Sequence, residues 1–262
     1  MKKKEIVCTM ASCSSQTMKK KAKREISEGP NWLDLPRDIT QNILQRLNAV
    51  EIVTSASLVC ALWWNICKEP LMWRTIHMGY NDRCPCNNMD LHFCTNDLLK
   101  YIAECGCNLR RIRLTICQNI SPKQFSEVAN KFPLLEELDI SFSNISKDSL
   151  EFIGRFCPLL KSLKFSRSFF RSIKWNDALA IAKTMPKLRY LSMIGNTLTN
   201  DELLVILDRC PLLEYLDLRI CFRLDLSGSL KKRCRDQIKY LILPIDVVGD
   251  CDEQYYDYYI SA

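Results

Sequence analysis

Cys84, Cys86, His92 and Cys94 are the residues of this 262-residue sequence whose types come nearest to a metal-binding set. Three thiolates and an imidazole could hold a zinc ion in a tetrahedral site. Their Cys-x-Cys spacing is tighter than the usual Cys-x-x-Cys, so free connector cysteines are the default reading and neither metal nor cofactor is assigned. Catalytic chemistry has few candidates. His77 and His92 are the two histidines, and neither sits in the nucleophile context that a Cys-His or Ser-His pair requires. Seven glycines in all leave no Gly-rich loop to cradle a phosphate. This is the profile of a non-enzyme. What remains is suited to recognition: tyrosines, arginines and carboxylates that recur at fixed intervals, as in Tyr190, Tyr215 and Tyr240.

A six-residue frame, apolar-x-x-apolar-x-apolar, positions those residues. It occupies Leu109–Leu114, Leu135–Ile140, Leu160–Phe165, Leu188–Met193, Leu213–Leu218 and Ile238–Leu243, with starts 26, 25, 28, 25 and 25 residues apart. These intervals fall inside the leucine-rich-repeat period of roughly 20 to 29 residues. Each frame reads as a short strand whose two closing apolar residues point into the stack while the intervening residues face out. Between frames come polar residues at a helix start followed by apolar positions, at Asn96–Ile102, Lys147–Ile153, Asn176–Ile181 and Asn200–Ile206. Pro133, Pro158, Pro186 and Pro211 punctuate the return to the next strand. The expected fold is an α/β solenoid, a leucine-rich-repeat arc of about six repeats over residues 95–243.

Three outward columns line the concave face of such an arc. One runs Arg111, Glu137, Ser162, Tyr190, Tyr215, Tyr240, a second Arg113, Asp139, Lys164, Ser192, Asp217, Ile242, and a third Thr115, Ser141, Ser166, Ile194, Arg219. Mixed charge argues for a specific protein surface rather than a polyanion site. Arg113, Glu137, Asp139, Lys164, Tyr190, Tyr215, Asp217, Arg219 and Tyr240 are the candidate substrate contacts. The three tyrosines should stack on adjacent strands about 4.8 Å apart, as interface anchors do. Tyrosine also simply suits a strand position, and both readings stand.

Composition narrows the classes further. The formal charge is +7, and five of those charges lie in residues 1–30, read as a disordered basic tail without periodicity. A nearly neutral body is a poor footprint for nucleic acid. Lys19–Arg24 reads either as a nuclear-import signal or as a solvated basic run, so nucleus and cytoplasm both remain open. Fifteen cysteines, an odd count without a following apolar leader core, fit buried hydrophobes in a reducing compartment better than a disulfide scaffold. No stretch approaches the roughly 18 to 20 apolar residues of a membrane helix. Residues 79–94 form a polar connector, and residues 244–262 are acidic and tyrosine-rich, read as a disordered tail or as a cap on the last repeat.

Between Trp32 and Met78 the pattern changes to three short helices: one opening near Pro36 with Ile39, Ile43, Leu44 and Leu47 on a stripe, a second from Asn48–Glu51 to Trp63, and a third near Pro70–Trp73. Four tryptophans in under fifty residues exceed what so small a bundle can cover. The order Leu35-Pro36, Ile43-Leu44, Val59-Cys60-x-x-Trp63 and Leu71-x-Trp73 resembles an F-box over residues 31–78. Together with the repeats, the layout is similar to the short plant F-box/leucine-rich-repeat proteins of the Skp-interacting type. The resemblance implies that the module docks a Skp-type adaptor and through it a cullin-RING ligase, with Leu35, Pro36, Ile39, Ile43, Leu44, Leu47, Val59 and Trp63 facing the adaptor. Trp64 and Ala61 depart from the basic residues frequent there. It further implies a substrate-recognition subunit of an SCF-type ubiquitin ligase, whose protein substrate is unknown. A non-ligase F-box scaffold and a plain repeat-type binding module are the alternatives.

Overall fold

The computed structural model describes residues 34–78, 95–166 and 177–244. The basic run Lys19–Arg24, the Cys84–Cys94 group, Asn176 and the segment 245–262 lie outside the described residues. The chain divides into two compact units, Met1–Leu35 and Pro36–Ala262. The second holds both the short helices and the repeats.

Its first helices are set by local capping. Helix α1 (Arg37–Leu44) begins after Pro36. Helix α2 (Ala49–Thr54) opens with a capping box, in which the Asn48 side chain accepts from the Glu51 N–H at 2.9 Å and Glu51 accepts from the Asn48 N–H at 2.8 Å. The single helix expected from Asn48 to Trp63 is instead broken after Thr54. Thr54 Oγ1 donates to the Val50 carbonyl at 2.8 Å and Ser57 Oγ to the Val53 carbonyl at 3.0 Å, and such back-bonding hydroxyls compete with a continuing helix. A 3-10 turn (Ala56–Leu58), helix α3 (Ala61–Cys67) and a second 3-10 turn (Pro70–Met72) follow. Trp73 fastens this head to the repeats. Its indole N–H donates to the Cys67 carbonyl at 2.7 Å, and its ring meets Tyr101 edge-on with centroids 5.8 Å apart.

The repeats build one parallel sheet of seven strands in chain order: β1 (Thr75–Met78), β2 (Arg111–Leu114), β3 (Glu137–Asp139), β4 (Ser162–Lys164), β5 (Tyr190–Ser192), β6 (Tyr215–Asp217) and β7 (Tyr240–Ile242). The six frames supply β2 to β7. Strand β1 comes from Trp73-Arg-Thr-Ile-His-Met78, which carries the same frame but starts 36 residues before the next, outside the repeat period. Its register is continuous with the rest, Thr75 opposite Arg111 and Ile76 opposite Ile112. Along the centre of the sheet Ile112, Leu138, Leu163, Leu191 and Leu216 form a fully buried ladder. Parallel sheets are normally covered on both faces; here helices cover one face, and the other carries the charged and tyrosine columns.

Those helices are α4 (Asn96–Cys105), α5 (Pro122–Val128), α6 (Lys147–Phe156), α7 (Asp177–Thr184), α8 (Asn200–Arg209) and α9 (Gly228–Gln237). Their caps stand one residue ahead of the polar residues the sequence pattern marks: Thr95, Ser146 and Thr199 accept from the N–H three residues on. The freed asparagines do something else. Asn96 Oδ1 accepts from the Ser121 N–H at 2.8 Å, and Asn200 exchanges two hydrogen bonds with the Asp225 backbone, so each ties one repeat to the next.

A second repeated device lies just past the strands. Ile116, Phe142, Gly195 and Ile220 all have positive φ, 58° to 69°, two residues beyond the frame. The N–H of each donates to the neighbouring repeat at 2.9 to 3.0 Å. Three of the four are bulky residues in a conformation that disfavours side chains, held there because the turn delivers that inter-repeat hydrogen bond.

Candidate functional site

Two surfaces of the second unit carry residues that the core does not use. The first is on the short helices. Ile39 is 44 % exposed, Val59 58 %, Leu58 72 % and Leu71 64 %. Pro36 is exposed at the start of α1, while Ile43, Leu47 and Trp63 are half-buried. Leu44 is a correction: at 0 % exposure it belongs to the core and offers no surface, because the stripe of α1 that bears it turns inward against the rest of the head. Leu35 falls in the other compact unit and is half-buried. Leu58 and Leu71 were not anticipated. They sit in the two 3-10 turns, where helical periodicity gives no indication of which side faces out. Trp64, beside Trp63, is also exposed, with the Lys68 ammonium 4.1 Å from its ring centre.

The second surface is the open strand face. At its N-terminal end His77, Arg111, Arg113, Glu137, Asp139 and Lys164 line a groove of about 190 Å³. It adjoins a second of about 220 Å³ that runs back under Gln45, Arg46 and Asn48 and shares Thr75 and His77. Charges in the groove are mostly paired along the register. Arg111 Nε meets Glu137 at 2.9 Å and Arg113 Nε meets Asp139 at 3.4 Å. Partial burial, and then the Arg113 guanidinium, lower the His77 pKa below the usual imidazole value.

At the other end Tyr190 and Tyr215 lie face to face, and the Lys164 ammonium stands 5.7 Å from the Tyr190 ring. Burial, then the hydrogen bond with Tyr215, raise the Tyr190 pKa above that of a free phenol. Tyr240, opposite Tyr215 in the register, is exposed.

Not every residue of the outward columns is available. Asp217 is 1 % exposed. Arg219 grips it through Nε at 3.0 and 3.2 Å and Nη2 at 2.8 Å, and its carboxylate also accepts from the Arg219 N–H. Asp217 is therefore a structural anchor and not a contact residue, and Arg219 is half-buried in holding it. Asp139 shows the same local pattern, accepting from the Ser141 N–H at 3.1 Å and hydroxyl at 2.8 Å. An Asp followed two residues later by a donor closes the end of the strand in the manner of an Asx turn.

A further column was passed over. The second position of the frames runs Arg110, Glu136, Lys161, Arg189, Glu214, Lys239. Glu136 is bridged by Arg110 and Lys161, and Arg189 pairs with Glu214. Hydrogen bonds from Lys161 and Arg110 lower the Glu136 pKa. The two glutamates, each flanked by basic residues at repeat spacing, were the available signal.

The buried cysteines of the repeats are held as thiols. Burial pushes the thiol of Cys157 up to about 12, of Cys210 to about 11 and of Cys221 to about 12. Cys117, 1 % exposed, packs in the core as well. Among the described residues no helix is long and apolar enough to cross a membrane.

Comparison with known proteins bears on both surfaces. The family profile described as F-box-like matches residues 32–79, and the profile described as FBD-associated F-box protein At5g56370, LRR repeats, matches residues 89–176. The F-box protein SKIP19 of Arabidopsis thaliana is 41 % identical over 264 residues, covering 93 % of this chain and 85 % of that protein. The putative F-box/LRR-repeat protein 23 of the same plant is 42 % identical over 241 residues, covering 82 % of this chain and 54 % of that protein. Among solved structures, the leucine-rich repeat-containing protein LegL7 from Legionella pneumophila matches at 17 % identity with a TM-score of 0.37, over 56 % of this chain and 48 % of that one, which adds nothing to the topology above. At that identity and coverage to SKIP19, the chain belongs to the family of F-box/leucine-rich-repeat proteins represented by these Arabidopsis members.

Proposed function

We propose that this chain is the substrate-recognition subunit of a Skp–cullin–F-box type ubiquitin ligase. The observation that carries the reading is the apolar surface left uncovered on the short helices, Ile39, Leu58, Val59 and Leu71, within the residues that the F-box-like profile matches. Exposed apolar side chains on so small a module fit a partner's groove. Docked there, a Skp-type adaptor links the chain to a cullin. The open strand face, with its groove and tyrosines, then holds the target protein. Catalysis in this arrangement is proximity: the receptor raises the local concentration of target lysines beside the charged conjugating enzyme and forms no covalent intermediate itself.

The test is binding of the purified chain to a Skp-type adaptor, beside an Ile39→Asp, Val59→Asp variant. Both side chains are exposed, so the fold should be unaffected. Nanomolar to micromolar binding by the wild type, weakened at least about 100-fold in the variant, is the expected result, since central apolar anchors dominate such interfaces. A wild-type chain that does not bind sinks the proposal.

A further inference from the structure

Most of the charge on the open strand face is cancelled across the sheet. Arg111 meets Glu137, Arg113 meets Asp139, and Asp217 holds Arg219. Two cations are left over: among the described residues, Lys164 on β4 and Lys239, just ahead of β7, have no ion-pair partner. Burial and the Arg113 guanidinium favour the neutral form of His77, which therefore adds no charge at neutral pH. The face is complementary to an anion, and the two lysines mark where one would sit.

Both lysines border aromatic rings. The Lys164 ammonium stands 5.7 Å from the Tyr190 ring centre, and the Lys239 ammonium 5.0 Å from that of Tyr240. Tyr190 lies opposite Tyr215, and Tyr215 opposite Tyr240. A row of phenol rings thus crosses β5, β6 and β7, with Lys164 at its β4 end. Lys164 reaches Tyr190 diagonally, because Ser162 is the residue opposite Tyr190 in the register. It is half-buried, where a charge-assisted hydrogen bond contributes more than on an open surface.

The spacing of this row limits what can lie along it. Neighbouring strands are about 4.8 Å apart, and alternate side chains of an extended peptide, all on one face, are about 6.8 Å apart. An extended partner crossing the strands with one side chain at Lys164 brings its next inward side chain about 7 Å further, onto the Tyr190–Tyr215 stack. The one after that arrives about 14 Å along, beside Tyr240 on the third strand from β4. The charge on the face selects the anion. A phosphoryl group carries close to two negative charges and is ordinarily met by clustered arginines. Here Arg111, Arg113 and Arg219 are already engaged by carboxylates, and Lys164 and Lys239 stand three strands apart, about 14 Å, too far to share one phosphoryl group. A single carboxylate matches a single ammonium.

We propose that the open strand face reads an unphosphorylated acidic segment of the target protein in extended form: an aspartate or glutamate on Lys164, and at the second and fourth residues beyond it apolar or aromatic side chains, on the Tyr190–Tyr215 stack and on Tyr240. Either chain direction satisfies the spacing. The inference rests on the reading of this face as the surface that holds the target, and it adds what the target must carry. No kinase is needed to create that feature.

The test measures binding of the purified full chain to a set of short synthetic peptides, made in both chain directions. The first core position holds aspartate, asparagine or phosphoserine, and the third and fifth hold tyrosine, leucine or glycine. Wild type is compared with Lys164→Gln, Lys164→Arg and Tyr240→Ala. We expect the wild type to bind aspartate peptides about tenfold more tightly than asparagine peptides. That preference should vanish in Lys164→Gln and persist in Lys164→Arg, and Tyr240→Ala should lose the preference for tyrosine or leucine over glycine at the fifth position only. Equal binding of aspartate and asparagine peptides by the wild type overturns the proposal without any variant. It is also overturned by tighter binding of phosphoserine peptides, by an acid preference that survives in Lys164→Gln, or by no binding of any peptide in the set. The measurement uses no adaptor, and adaptor binding should be the same in all four proteins, so failure here is distinguishable from failure of the ligase reading.

Discussion

Tyr190 and Tyr215, 25 residues apart in sequence, stack with ring centroids 4.0 Å apart and planes within 8° of parallel. The parallel register puts them directly opposite on β5 and β6, and both rings are half-buried, so the pair stiffens the centre of the open face as well as presenting an edge to a partner.

A double-mutant cycle with Tyr190→Ala and Tyr215→Ala should therefore show a coupling energy of about 1 kcal/mol in denaturant unfolding. Additive effects would mean that the stack contributes nothing of its own. If the ladder also contacts substrate, the double variant loses substrate capture while retaining adaptor binding.

Asp217→Ala leaves the Arg219 guanidinium, itself mostly covered, without its bidentate partner. We expect a loss of roughly 2–3 kcal/mol, at the low end for a buried pair because Arg219 keeps some solvent. Arg113→Ala, which removes a half-exposed guanidinium 3.4 Å from an Asp139 carboxylate that keeps its Ser141 hydrogen bonds, should cost under about 1 kcal/mol. Equal costs for the two substitutions would contradict the assignment of Asp217 as an anchor.

Gly154 sits where α6 meets α7. A Cβ at this position would fall 2.0 Å from Thr184 Oγ1 and 2.5 Å from Thr184 Cβ. Gly154→Ala gains helix propensity but must push the two helices apart, so we expect a net destabilisation of about 2 kcal/mol. Adding Thr184→Ala should not rescue it, since the Cβ remains. A neutral or stabilised variant in chemical denaturation would show that the helices can separate freely.

Thiol alkylation in mildly alkaline buffer should separate the described cysteines by burial. Cys107, exposed, should label in the native protein, with Cys60 slower. Cys157, Cys210 and Cys221, whose thiols donate to the carbonyls of Ala129, Met185 and Met193, should label only on unfolding. Peptide mapping reads each site, and native labelling of Cys157 or Cys210 would contradict their packing role.

The strands were legible in the sequence because a two-residue alternation repeated at a fixed interval has one physical solution, a stack of short parallel strands with Leu138, Leu163, Leu191 and Leu216 inward. The prolines and the helix starts followed from the same period, to within one residue. The F-box was legible because several apolar pairs fall in a fixed order. Periodicity says which way a side chain leaves the backbone but not what stands in front of it. Leu44 and Asp217 point as their spacing indicates, yet one is enclosed by the head and the other by Arg219. Whether Leu58 and Leu71 are exposed depends on how two 3-10 turns settle on neighbouring helices. Strand β1 needed the tertiary structure because only pairing with β2 identifies a frame that stands 36 residues away. The positive φ of Ile116, Phe142 and Ile220 was decided by the inter-repeat hydrogen bonds those turns make, against the local preference of the residues themselves.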